Sequence, residues 1–88
     1  MNPSGSLLEF PCFYTFKIFG YQTETFAERV RGIVASTLGA IPLDCMKVRQ
    51  SSAARYLSVT IEMQVYNREQ LERIYEDLRA ADEVLLYI

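Results

Sequence analysis
The chain has 88 residues, half of them hydrophobic and about a quarter charged, with nine Lys and Arg against eleven Asp and Glu. That length gives one small domain able to bury roughly 60–70% of its unfolded surface, and the composition is too apolar for disorder. A net charge of −2 and a pI near 5.0 weigh against general nucleic-acid binding, which needs a basic footprint, and no apolar run approaches the ~20 residues of a membrane span.

Residues 1–6 hold Pro, Gly and Ser with little to pack and read as a loose leader. The start MNPSGSLLEF lacks a basic segment followed by a long apolar one, so no signal peptide is expected and the thiols should be reduced in a cytoplasmic setting. Pro11 disfavours helix at Phe10. A first strand is expected over residues 12–19, with Cys12, Tyr14, Phe16 and Ile18 on one face and Phe13, Thr15, Lys17 and Phe19 on the wet one. Gly20 is read as its end, where the backbone turns.

Thr25 followed by Glu28 has the spacing of a capping box. Phe26, Val30, Ile33, Val34 and Leu38 then recur at helical spacing, and Gly39 closes the helix. Gly32 lies mid-helix at a cost of roughly 1 kcal/mol against Ala, for which a close approach to the sheet offers a reason. Ile41-Pro42 reads as a linker. A second strand is expected over residues 43–50, with Met46 and Val48 inward and Cys45, Lys47 and Arg49 outward.

The small-residue loop 51–54 leads into the longest alternating run, RYLSVTIEMQVY over residues 55–66. Leu57, Val59, Ile61, Met63 and Val65 form its apolar face, the pattern of a half-buried central strand. Asn67 and Gln70 repeat the capping logic for a helix over residues 68–80 with the stripe Leu71, Ile74, Tyr75 and Leu78. Residues 84–88, VLLYI, form a last short strand.

The order βαββαβ is the split β-α-β, ferredoxin-like arrangement of the α+β class. Right-handed crossovers place both helices on one face of a four-stranded sheet ordered 4-1-3-2. The other face stays open, carrying Phe13, Thr15, Lys17, Phe19, Cys45, Lys47, Arg49, Tyr56, Ser58, Thr60, Glu62, Tyr66, Leu85 and Tyr87.

The chain has no histidine, which removes the commonest general base and the commonest zinc ligand. Cys12 and Cys45 lack CxxC spacing and read as small half-buried residues, free and without metal. No glycine-rich phosphate loop occurs. No catalytic residue, metal or cofactor is therefore expected. The acidic residues lie mostly beside Arg on helices and read as solvated faces.

One basic cluster stands out: Lys47, Arg49, Ser51, Ser52 and Arg55, around one hairpin end. Hydroxyls, turn amides and guanidiniums suit a carboxylate or phosphate. The plainer reading is charge that solubilises an edge strand. Phe13, Phe19, Leu85 and Tyr87 are expected to form an exposed apolar patch beside an unguarded edge strand, pointing to self-association or a protein partner. Aromatic residues on the open face also suit RNA stacking, but the glycine- and aromatic-rich signature of RNA-recognition sheets is missing.

The segments LLEFP (residues 7–11), YTFKIFG (14–20), SS-x-x-x-Y-x-SV (51–59) and IYEDL (74–78) resemble the YbeD-like family of small bacterial proteins. That resemblance covers nearly the whole chain and implies a ferredoxin-like fold similar to ACT-type regulatory domains. It brings no catalytic residues and no established function. One departure is Ala54, where the family's loop carries Gly. The expected role is a non-catalytic regulatory or small-ligand-binding module, with a protein-interaction adaptor as the alternative.

Overall fold
The computed structural model describes residues 8–88 apart from Ser52 and Ala54. The leader expected over residues 1–6 and the departure at Ala54 lie outside them. The elements run β1 (Cys12–Tyr21), α1 (Phe26–Leu38), a 3-10 turn (Leu43–Cys45), β2 (Met46–Gln50), β3 (Tyr56–Val65), α2 (Arg68–Ala80) and β4 (Val84–Tyr87). The sheet order is β2-β3-β1-β4 and every neighbouring pair is antiparallel. This is the expected ferredoxin-like α+β arrangement.

Alternation puts Phe16 and Ile18 of β1, and Leu57, Val59, Ile61 and Val65 of β3, into the core. The helices supply Phe26, Val30 and Val34 from α1 and Leu71, Ile74 and Leu78 from α2. Ile33 is only half-buried, and Ile41, read as linker, is 2% exposed. The chain after α1 thus plugs the core instead of skirting it.

Four local expectations are corrected. Gly20 does not turn the chain: β1 continues to Tyr21, with Gly20 opposite Leu57 and Tyr21 opposite Tyr56. Gly20 is needed because the Phe26 ring and the Glu83 carbonyl lie where a Cβ would stand. Gly32 has open space around it, so no close approach explains it. Thr25 makes no side-chain cap bond, and the Glu28 carboxylate instead meets Arg31 at 3.5 Å. The second strand starts at Met46, because residues 43–45 wind into the 3-10 turn.

The cap on α2 is as expected. Asn67 Oδ1 accepts from the Gln70 amide at 2.9 Å, and Gln70 Oε1 accepts from the Tyr66 amide at 2.9 Å. Gly39, at φ 89°, closes α1 as expected.

The β1–β4 pairing contains a register shift: Phe19 faces Leu86, whereas Gly20 faces Val84. Leu85 is the extra residue, and a one-residue insertion flips everything after it. Tyr87 therefore pairs with Ile18 on the helix side, with its ring 5.4 Å from that of Tyr75, and does not lie on the open face. Leu86 takes the open-face place beside Phe19.

Candidate functional site
Cross-strand register turns the open face into rungs. Tyr56 faces Tyr21; Arg49, Ser58, Phe19 and Leu86 share the next rung; Lys47, Thr60 and Lys17 share the one after; Glu62 faces Thr15; Gln64 faces Phe13. Lys47 and Arg49 project from one face of β2, as their alternation required.

A hollow of about 250 Å³ opens at the hairpin end, lined by Phe19, Arg49, Gln50, Ser51, Tyr56, Leu57 and Ser58. Arg49 is exposed and forms no ion pair among the described residues. It shares the lining with two serines, Ser51 and Ser58, and two aromatic residues, Phe19 and Tyr56. No carboxylate residue lines the hollow.

The hairpin itself is built by Ser51. Its Oγ accepts from the amides of Arg55 and Tyr56, both at 3.2 Å, and its own amide donates to the Tyr56 carbonyl at 2.9 Å. Those turn amides are therefore spent on the loop, leaving the Ser51 O–H and the Arg49 fork to meet a ligand.

The five-residue cluster does not come together whole. Arg49 and Ser51 share the hollow. Lys47 lies one rung along, lining a smaller hollow of about 80 Å³ with Thr15, Asp44, Cys45, Thr60 and Glu62. Arg55 lines neither, and its carbonyl is held by the Gln22 amide at 2.9 Å. Ser52 lies outside the described residues. Phe13, Phe19, Leu85 and Tyr87 are also scattered: Phe13 is six residues from Phe19 along β1, about 20 Å away. Tyr87 is on the other side of the sheet.

Sequence reading missed the Tyr21–Tyr56 pair, whose rings stack with centroids 5.5 Å apart and planes at 26°. Treating Gly20 as a strand end hid it; only the register of β1 against β3 places Tyr21 on the open face. In the smaller hollow the Cys45 thiol is pushed above its ordinary range, first by partial burial and then by the carboxylates of Asp44 and Glu62. That is the reverse of an activated thiolate. Among the described residues no group of three Cys, Asp or Glu side chains comes together as a metal needs, and no helix is long and apolar enough to cross a membrane.

Residues 5–88 match the model of a family described as protein of unknown function, DUF493. The chain belongs to this family. A UPF0250 protein of Shewanella woodyi is 38% identical over 78 residues, covering 89% of this chain and 86% of the relative. A UPF0250 protein of Paraburkholderia phytofirmans is 34% identical over 73 residues, covering 83% and 82%. The solution structure of protein HP0495 from H. pylori superposes with a TM-score of 0.69 over 99% of this chain and 88% of that one, at 17% identity. That likeness carries the fold alone. The YbeD-like resemblance of LLEFP and IYEDL thus sits inside a small bacterial family whose function is unknown, and none of these names is a catalytic one.

Proposed function
We propose that this member of the family is a non-catalytic regulatory module of ACT-like type that takes a small anionic ligand in the hollow beside Arg49. The supporting observation is an arginine without an ion pair among the described residues that lines, with Ser51 and Ser58, a hollow of about 250 Å³. A planar fork of this kind grips a carboxylate or phosphate through paired charge-assisted bonds. Two such bonds at roughly 1.5–3 kcal/mol each come to roughly 3–6 kcal/mol, a Kd of about 40 μM to 6 mM before ordering costs, the weak binding of a metabolite sensor.

The test is thermal shift against organic acids, amino acids and phosphates, followed by calorimetry on Arg49→Ala. Loss of binding in that variant supports the reading. Unchanged binding reduces the cluster to a solvated edge.

A second reading, an adaptor or self-associating module, draws on β4. Leu85 and Leu86 are 48% and 55% exposed on an edge strand that carries no charge. The exposed edge backbone there is free to pair with another chain.

A further inference from the structure
The acidity that weighs against nucleic acid is not spread evenly. Lys17, Lys47 and Arg49 project from the open face; the carboxylates there are Glu62 on β3 and Asp44 in the 3-10 turn, both beside Lys47 in the smaller hollow and away from Arg49. Glu62 is two rungs from Arg49, about 13 Å along β3, and sits 3.4 Å from the Thr15 hydroxyl. A chain of net charge −2 thus presents a sheet face that is cationic at its Arg49 end.

That face also carries exposed aromatic rings at the same end. Tyr21 and Tyr56 remain 55% and 40% exposed although stacked on each other, and Tyr56 and Phe19 both line the Arg49 hollow. A planar group entering there continues an existing stack. The hollow's size is just under the roughly 300–1,000 Å³ of drug-sized pockets, room for one ring system with the remainder lying on the open sheet. An amino acid fits the lining poorly, because its ammonium finds no carboxylate among the walls.

Building on the anion reading of this hollow, we infer that its ligand is a nucleobase carrying phosphate, either a free nucleotide or one unit of a single strand. The base stacks on Tyr56 and the phosphate meets Arg49. Lys47 lies about 7 Å along β2, and Lys17 stands about 10 Å across β3 on the same rung as Lys47. Lys17 is placed for a further phosphate, and Lys47 joins it to the extent that Asp44 and Glu62 in its hollow leave its charge unspent. Stacking supplies affinity without sequence preference, and the cations track the backbone.

The experiment titrates the full chain with adenosine monophosphate, ribose phosphate, adenosine and a short oligoadenylate. The readouts are calorimetry and intrinsic tyrosine fluorescence, the latter clean because the chain has six Tyr and no Trp. The nucleotide should bind about 5- to 150-fold tighter than ribose phosphate, the gain that one stacked base brings. Tyr56→Ala, verified as folded by circular dichroism, should bring the nucleotide down to the ribose phosphate level, and Arg49→Ala should abolish binding of both. An oligoadenylate that binds tighter still, with a steep salt dependence lost in Lys17→Ala with Lys47→Ala, identifies a strand as the source. Equal affinity identifies a free nucleotide. Ribose phosphate binding as well as the nucleotide overturns the inference and leaves the anion reading standing. Failure of every nucleotide overturns it too, and the organic-acid panel then judges the anion reading alone. Nucleotide binding indifferent to Tyr56→Ala also overturns it.

Discussion

A Cβ placed on Gly20 would collide with the buried Phe26 ring and stand 2.6 Å from the Glu83 carbonyl. Gly20→Ala should therefore lower stability by about 1–3 kcal/mol, the range of overpacking, read by urea denaturation. Gly32 is the opposite case, exposed on α1 with nothing within 4 Å of a Cβ. Gly32→Ala should raise stability by about 1 kcal/mol through helix propensity, and a loss would show a contact the structure lacks. Neither role could be read from the chain, because a glycine's neighbours are set by tertiary approach and not by local pattern. Tyr75 supplies a pH dependence of the same kind. Burial, then the hydrogen bond with the Tyr14 hydroxyl at 3.1 Å, pushes its phenol well above the ordinary value near 10. Unfolding lets that proton leave, so the unfolded chain binds fewer protons above pH ~10 and stability falls as pH rises from there. Tyr75→Phe should flatten that alkaline decline in denaturation measured at pH 9 to 11, whatever it does to stability at pH 7.

The two helices begin with similar sequence signals and differ in how they are capped. Asn67 carries the cap of α2, so Asn67→Ala should lose about 1 kcal/mol, whereas Thr25 makes no cap bond and Thr25→Ala should lose clearly less. Thermal melts of both variants decide this, and equal losses would contradict the difference. Hydrophobic period made the elements legible: the stripe Leu71, Ile74 and Leu78 predicts the range of α2, and the Leu57-to-Val65 alternation predicts the central strand and hence the strand order. Where the sequence reading failed, one residue had shifted the count. The bulge at Leu85 moves Tyr87 to the helix side, and the 3-10 turn shortens β2. A bulge leaves no trace in a four-residue strand of Val, Leu, Leu and Tyr, because every register of it looks apolar. Two of the five cluster residues were legible: Arg49 and Ser51 follow from strand alternation and hairpin closure, whereas the place of Arg55, which lines neither hollow, depends on the loop and not on a strand pattern.

At the scale of the molecule the two edges of the sheet are unlike. β2 is guarded by Lys47 and Arg49, which oppose any neighbour of like charge. β4 has no charge from Val84 to Tyr87, and Leu85, Leu86 and Ile88 are 48%, 55% and 64% exposed. The open face beside it adds half-buried Phe19 on the rung of Leu86. If the chain associates with a second copy, the unguarded edge is where strands can meet without bringing cations together, and each added backbone bond is reinforced by apolar cover. Light scattering and sedimentation should then show a concentration-dependent dimer. Leu86→Lys should return it to a monomer, because pairing would force the new ammonium out of water beside Phe19. Val48→Lys on the β2 edge should leave the dimer intact, and circular dichroism should show both variants folded. A wild type that stays monomeric at high concentration removes the edge from consideration. A dimer indifferent to Leu86→Lys but broken by Val48→Lys moves the interface to β2, where it would compete with a phosphate for Arg49 and make association depend on ligand.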